Sequence, residues 1–211
     1  MNREKIPLTG PRLRVLGLLA IASVATYLAV VRPRALRWGA TDDEVARPLP
    51  GDDIVESPTF NATRAVTIDA RPEHIWPWLV QIGLGRAGWY SYDWIDNLGR
   101  PSAERIVPEL QHLAVGDLVP MSPDGKVGLW VKDFEPDRWM LWWDRKGDVS
   151  WLWFLDSVGD SRTHLITRVR VRYRWISAGI LFSLAMDVGD IVMMRKCMLG
   201  IKRRVEAMAR G

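Results

Sequence analysis

The side chains best suited to chemistry are concentrated in one short stretch, residues 86–97, which reads RAGWYSYDWIDN. Asp93, Asp96 and Tyr92 can accept or transfer a proton, and we take them as the candidate catalytic residues. An ion pair between Arg86 and either acid would lower the carboxylate pKa and argue against a general acid. A structural interpretation also stays open, in which the acids cap short helices and the aromatic rings anchor a loop.

Aromatic side chains are unusually common, with 12 tryptophans among 211 residues. Trp and Tyr supply large rigid surfaces that suit the wall of a pocket as well as a core. The candidate ligand-binding residues are Trp89, Tyr90, Tyr92, Trp94, Trp130, Trp151, Trp153, Met194 and Met198. Strand alternation places Trp151 and Trp153 on one face, whereas the adjacent Trp142 and Trp143 cannot both point inward.

Other chemistries are disfavoured by the sequence. His74, His112 and His164 lack metal-ligand spacing, so we expect no metal. Cys197 is the only cysteine, which excludes an intramolecular disulfide and a Cys-based zinc site. There is no G-x-S-x-G nucleophile elbow, and the glycines of residues 83–85 precede no phosphate-loop lysine. We therefore expect no cofactor.

The composition fits one folded domain with a short appendage. Hydrophobic residues make up 48% of the chain and charged residues 26%, which disfavours both disorder and a polytopic membrane protein. The net charge is +4, with much of the excess near the two ends, so nucleic acid is not an expected partner. Alternate arginines, Arg168 to Arg174, could hold an anionic partner, but we expect them to form the solvated outer face of a sheet.

Residues 1–37 are predicted to form an N-terminal membrane anchor. Residues 15–31 carry no charge and are flanked by arginines, and at about 1.5 Å per residue they just cross a hydrocarbon core. A cleaved signal peptide is the alternative, but no small-x-small cleavage site follows. Flanking positive charges balance, so a single-pass location in the membrane is expected with its side undecided. Residues 38–62 are interpreted as a linker or an irregular cover.

Residues 63–211 carry the signals of a ligand-binding domain. A strand over residues 66–70 leads into a helix that opens at Pro72 and that Pro77 should kink. Loops and short helices are expected to residue 116. Period-two runs and turn signals then predict strands at 117–121, 126–134, 138–143, 149–155 and 162–175. A final amphipathic helix is predicted from Asp187 to Ala209, after an apolar segment that is either a core loop or a membrane contact.

The predicted fold class is α+β, with a curved antiparallel sheet wrapped around a long C-terminal helix and preceded by one N-terminal transmembrane helix. The segment 70–79, ARPEHIWPWL, resembles the first strand-to-helix passage of the START-like superfamily, also called SRPBCC or the helix-grip fold. The run 86–97, with PELQ at 108–111 and VGD at 115–117, is similar to a membrane-associated bacterial branch of that group, which includes polyketide cyclases. The resemblance implies a deep cavity between sheet and C-terminal helix.

Two functions follow as hypotheses. In the first, the protein is a membrane-tethered binding or carrier protein whose partners are a hydrophobic small molecule, lipid-like or polycyclic, and membrane lipid. In the second, it is an enzyme of the cyclase or dehydratase type that acts on a bound aromatic or isoprenoid substrate through Asp93, Tyr92 or Asp96. A structural membrane-associated module with a filled core is a third interpretation.

Overall fold

The structure is a computed structural model that describes residues 10–173 and 180–209. The chain divides into two units, Met1–Leu36 and Arg37–Gly211. The described part of the first unit is helical throughout: α1 (Gly10–Thr26), a π-helical turn (Tyr27–Val31) and α2 (Arg32–Leu36). Within it, Arg14–Leu36 is a helical stretch of 23 residues that contains an 18-residue window with a mean hydropathy of 2.0, which makes this helix long and apolar enough to cross a membrane.

The second unit is built on an antiparallel sheet, which has six strands among the described residues. Its elements are α3 (Asp42–Ala46), β1 (Phe60–Ile68), α4 (Pro72–Val80), α5 (Asp93–Asp96), a 3-10 turn (Pro108–Leu110), β2 (Leu118–Pro120), β3 (Gly128–Glu135), β4 (Trp139–Trp143), β5 (Val149–Val158), β6 (Arg162–Val171) and α6 (Ile180–Met208). The strands lie in the sheet in the order β1-β6-β5-β4-β3-β2. The predicted α+β class, an antiparallel sheet with one long C-terminal helix, is confirmed.

The strands of the meander begin and end close to the predicted residues, because turn chemistry fixes their ends. Gly125 and Gly147 have φ of 68° and 79° in two of the predicted turns, a conformation that only glycine adopts without strain. The first strand differs most from its prediction. It pairs with β6 along its whole length, from Phe60 opposite Val171 to Ile68 opposite Thr163, so it begins six residues before Val66.

Helix α6 begins at Ile180, seven residues before the predicted start, so residues 180–186 belong to the helix rather than to a loop. Residues 174–179, which hold the end of the last predicted strand and the start of the apolar segment, lie outside the described residues. The buried side chains of α6 recur every three or four positions: Met194, Cys197, Met198, Ile201 and Val205. This is the apolar stripe that the sequence predicts, and it packs α6 against α4 and β1.

Residues 41–56 fold across the outer face of the sheet. There the Arg168 side chain is only 4% exposed and donates to the Glu44 carbonyl (2.6 Å) and to the Asp52 carboxylate (2.6 Å). Arg170 donates to the Val55 carbonyl (2.9 Å). The expectation of a solvated arginine row is therefore wrong for these two residues, because this cover supplies carbonyls and a carboxylate that replace water.

Candidate functional site

A cavity of about 340 Å³ lies between the loop that follows α4, strand β5 and the middle turns of α6. Apolar side chains form most of its wall, with a few polar groups among them. The lining residues are Leu84, Trp89, Ser91, Ile95, Asp96, Leu98, Met121, Pro123, Trp151, Gly189, Asp190, Met193, Met194 and Cys197. The resemblance to the START-like superfamily implies a cavity in this region, between the sheet and the C-terminal helix.

Stacked tryptophans form the aromatic side of the cavity. Trp89, from the loop, lies nearly parallel to Trp151 of β5, with ring centroids 5.8 Å apart and an interplanar angle of 15°. Trp142 meets Trp151 edge-on at 5.2 Å from the neighbouring strand. The Trp151 indole N–H donates to Thr167 Oγ1 at 2.9 Å, which fixes the ring. The indole rings of this wall thus hold one another in place, and one of them, Trp89, belongs to the loop.

Trp153 shares the face of Trp151, as strand alternation predicts, with centroids 5.4 Å apart. It is fully buried behind the wall and is not among the lining residues. Trp143 points to the opposite face, where Lys132 lies 4.2 Å from its ring centroid. The prediction that Trp142 and Trp143 cannot both point inward is confirmed.

Tyr90 holds the loop in place. Its hydroxyl donates to the Trp78 carbonyl (3.2 Å) and accepts from Gln81 Nε2 (2.8 Å), and its backbone N–H donates to Ser102 Oγ (3.0 Å). Burial raises the pKa of Tyr90, so the phenol stays protonated at neutral pH. Its ring lies away from the cavity lining, and its backbone conformation, with φ of 56°, is stabilised by these contacts.

Helix α6 approaches this loop closely at Gly200. A Cβ added there would lie 2.0 Å from the carbonyl oxygen of Tyr90, so no larger residue fits without moving the backbone. Arg204, one turn later on α6, lies with its guanidinium carbon 4.7 Å from the Tyr90 ring centroid and donates to the Ala103 carbonyl. The helix and the loop are thereby fastened together beside the cavity.

The three candidate acid–base residues have different surroundings. The Asp93 carboxylate accepts a hydrogen bond from Ser102 Oγ, and Lys196 lies 5.7 Å from the ring centroid of Tyr92. Neither Asp93 nor Tyr92 is among the lining residues, whereas Asp96 is. Of the three, only Asp96 is positioned to meet a ligand in the cavity.

Both carboxylate oxygens of Asp96 are buried and have no hydrogen-bond partner among the described residues. The nearby hydroxyl of Ser91 donates its hydrogen to the Met193 carbonyl at 3.1 Å. Burial raises the pKa of Asp96, an effect that Ser91 and backbone groups oppose and that the charge of Asp93 reinforces. Arg86 pairs with neither acid: it donates to the carbonyls of Val80 and Leu110.

Two further polar residues line the α6 side of the cavity. Asp190 forms an ion pair with Arg64 of β1 at 2.8 Å, and the Arg64 side chain is 1% exposed. Burial raises the pKa of the Cys197 thiol, so it is protonated at neutral pH, unlike the thiolate of a reactive cysteine. Within the described ranges, no group of three or more His, Cys, Asp and Glu side chains is arranged to hold a metal ion.

Of the four other residues that the sequence predicts to bind ligand, one lines the cavity and three do not. Met194 lines the cavity, and Met198, one turn later, is fully buried in the core. Trp94 is 75% exposed on α5. Trp130 lies under the guanidinium of Arg145, whose central carbon is 3.3 Å from the ring centroid. The structure thus brings together Trp89, Trp151, Met194 and Asp96.

Several lining residues were not among the sequence candidates. Asp190, Met193 and Cys197 follow the spacing i, i+3, i+7 on α6, together with Met194. Helical periodicity could have identified this face once Met194 was chosen. Met121 and Pro123 come from the turn between β2 and β3, which no local pattern in the sequence connects to the loop.

No family model matches the sequence, and no curated protein matches it. Solved structures are similar in fold. A polyketide cyclase-like protein from Corynebacterium glutamicum is 15% identical, with a TM-score of 0.47 over 71% of this chain and 93% of that chain. A protein from Mesorhizobium loti is 15% identical, with a TM-score of 0.44 over 70% of this chain and 98% of that one.

A di-domain aromatase/cyclase from the BE-7585A biosynthetic pathway is 11% identical, with a TM-score of 0.39 over 72% of this chain and 48% of that chain. At such identities the likeness concerns the fold alone. Two of these solved proteins are described as polyketide cyclase-like or as an aromatase/cyclase.

Proposed function

We propose that the protein binds a hydrophobic small molecule, lipid-like or polycyclic, in the cavity between the loop, β5 and α6. The observation that carries this proposal is the cavity itself. Its volume of about 340 Å³ lies in the range of small-molecule sites, about 300–1,000 Å³. Its wall is mostly apolar with a few polar groups, which is the usual lining of such sites.

The lining favours a flat or flexible apolar ligand. Trp89 and Trp151 present rigid indole surfaces, and Met121, Met193 and Met194 supply unbranched side chains that adapt to irregular shapes. A carrier needs no more than this. We therefore take binding or transport, without turnover, as the first function.

An enzyme of the cyclase or dehydratase type is the second candidate, and Asp96 is the observation that favours it. A carboxylate with a raised pKa at an apolar cavity is the kind of group that serves as a general acid or base. Asp93 and Tyr92, the other two candidates, would have to act from outside the lining.

We also propose that the N-terminal helix tethers the protein to a membrane. The 23 residues Arg14–Leu36 rise by about 35 Å as a helix, which is enough for a hydrocarbon core of about 30 Å. Leu18 and Ile21 within it are exposed. A tether of this kind would keep the cavity near the phase into which hydrophobic ligands partition.

Binding is tested with 1-pyrenemethanol, an uncharged polycyclic probe, by quenching of tryptophan fluorescence and by calorimetry. We expect a low-micromolar Kd, which corresponds to roughly 8 kcal/mol. Trp89→Ala should weaken binding by about 1–3 kcal/mol through lost contact area. Trp143→Ala is the matched control, since it removes an indole from the opposite face of the same sheet. Absence of binding, or equal losses in both variants, would contradict the proposal.

Turnover separates the carrier from the enzyme. Native mass spectrometry of detergent-purified protein identifies a co-purified molecule, which is then offered to ligand-free protein. Release of the unchanged molecule supports a carrier. Conversion to a product that Asp96→Asn abolishes, with binding retained, supports the enzyme.

The tether is tested by cell fractionation. The full chain should sediment with membranes and resist extraction by salt and alkali, whereas residues 37–211 should be soluble and folded. The cut falls before Trp38 because the Trp38 carbonyl accepts from the Ala65 amide of β1 and its ring lies under Arg195. A soluble full-length protein would overturn this part of the proposal.

A further inference from the structure

The charged side chains among the described residues that line the cavity are acidic. Asp96 and Asp190 are both lining residues, and no lysine, arginine or histidine is among the described residues that line the cavity. Arg64, the cation that faces Asp190 from β1, is already 2.8 Å from that carboxylate. Asp96, in contrast, has no ion-pair partner among the described residues that line the cavity.

The Asp96 carboxylate is a buried hydrogen-bond acceptor without an aligned donor among the described residues. Its two oxygens are shielded from solvent, and no donor among the described residues meets hydrogen-bond geometry at either. The Ser91 hydroxyl and the amides of Tyr92 and Asp96 lie near enough to lower the carboxyl pKa, but by less than burial raises it. A buried acceptor without a well-placed donor destabilises the free protein, and more so when it is charged. The neighbouring hydroxyl of Ser91 donates to Met193 instead, and Asp93, three residues earlier, is engaged with Ser102. A carboxylate kept at such a cost beside a cavity points to a donor supplied by the ligand.

The aromatic wall favours a positive charge on that donor. The rings of Trp89 and Trp151 are lining groups, and indole is the side chain that attracts cations most strongly. A carboxylate and indole rings around one apolar volume make a poor site for an anion, because its charge would be desolvated beside Asp96 with no cation among the lining residues.

Building on the proposed function, we infer that the ligand is a hydrophobic amine whose protonated nitrogen sits on Asp96 while its apolar body lies against Trp89 and Trp151. The ammonium donates to both buried oxygens and neutralises their charge. Met121, Met193 and Met194 then surround the apolar body. A neutral alcohol satisfies one oxygen only, and a carboxylate repels Asp96.

Three probes of nearly equal shape test this inference: 1-pyrenemethylamine, 1-pyrenemethanol and 1-pyrenecarboxylate, titrated into the full chain in detergent by calorimetry at neutral pH. We expect the amine to bind about tenfold or more tighter than the alcohol, which is the usual gain for a charge-assisted hydrogen bond. The carboxylate should bind more weakly than the alcohol.

Asp96→Asn should reduce the ratio of amine to alcohol affinity to near one. Asp93→Asn is the matched control, because it removes an equal charge three residues away outside the lining, and it should keep the ratio. Circular dichroism and a melting curve establish that both variants are folded. If Asp96→Asn does not fold, Asp96→Ser, which also removes the charge, carries the same comparison.

The outcomes separate the inference from the function on which it rests. Equal affinities for amine and alcohol, or a preference that survives Asp96→Asn, overturn the amine and leave a neutral ligand in the cavity. Tighter binding of the carboxylate overturns it as well. Failure of all three probes to bind overturns the cavity function and the amine together.

Discussion

The two faces of the sheet are both covered, but in opposite ways. On the outer face, Arg168 donates to three carbonyl groups of residues 41–56 and to the carboxylate of Asp52. The Glu44 side chain there both caps α3 and contacts His164 Nδ1. On the inner face, a cavity holds the carboxylate of Asp96 without a donor among the described residues.

This difference indicates where stability and function lie. Buried polar groups that are fully hydrogen-bonded specify one packing of the chain and are costly to break. A buried group that is left without a donor is a cost in the free protein that ligand binding can remove. The outer face is therefore expected to respond to mutation mainly in stability, and the cavity mainly in binding.

The largest effect should come from Ile201→Asp on α6. Ile201 is fully buried in the apolar stripe, and a carboxylate placed there without a partner costs several kcal/mol, a large part of a domain's stability of about 5–15 kcal/mol. We expect loss of cooperative thermal unfolding. Val192→Asp is the control, since Val192 is exposed on the same helix. Equal melting temperatures in both variants would show that the stripe does not face the core.

Arg168→Ala tests the outer face. It removes the donor to the carbonyls of Glu44 and Val45 and one of the two arginines that pair with Asp52, and breaking a buried charge pair costs about 3–5 kcal/mol. Denaturant unfolding should show this loss, with probe binding to the remaining folded protein unchanged. Arg172→Ala, which breaks a more exposed pair with Asp148, should cost less than about 1 kcal/mol. A loss of probe affinity in folded Arg168→Ala would mean that the two faces are coupled.

Most of the fold could be predicted from the sequence because the patterns that indicate its strands and its long helix are local. Period-two alternation and turn residues located the strands of the meander to within a few residues, and the stripe from Met194 to Val205 located α6. The element ends that the sequence did not predict depend on contacts with residues far away in the chain. Phe60 is in a strand because it lies opposite Val171, and no pattern near residue 60 contains that information.

The candidate site could be predicted only in part, because its residues come from a loop, a strand and a helix that are distant in the sequence. Aromatic content identified Trp89 and Trp151, but it equally selected Trp94, which is exposed, and Trp153, which is in the core. Side-chain type cannot distinguish these places; the distance between strand, loop and helix does. The sequence left residues 38–62 open as a linker or an irregular cover, because residues 41–56 have no apolar period and make their contacts with Arg168 and Arg170 mostly through backbone carbonyls.

The smallest expected effect is a gain in stability, which Asp96→Asn should produce. Burial raises the folded-state pKa of Asp96 above the ordinary carboxyl value of about 3.9, so its charged form destabilises the fold at any pH above both values. Asp96→Asn should therefore raise the melting temperature at pH 7. Because the residue is only partly buried, we expect at most about 1 kcal/mol, or roughly 2–4 °C for a domain of this size.

The pH dependence gives the decisive comparison. As the pH falls through the folded-state pKa, Asp96 takes up a proton and the penalty disappears, so the variant and the parent should converge below about pH 4. Asp93→Asn, which weakens the acceptor of the Ser102 hydroxyl, should not raise the melting temperature at any pH. A lower melting temperature for Asp96→Asn at pH 7 would show that the native fold stabilises the carboxylate. In that case the contrast between a satisfied outer face and an unsatisfied cavity would not hold.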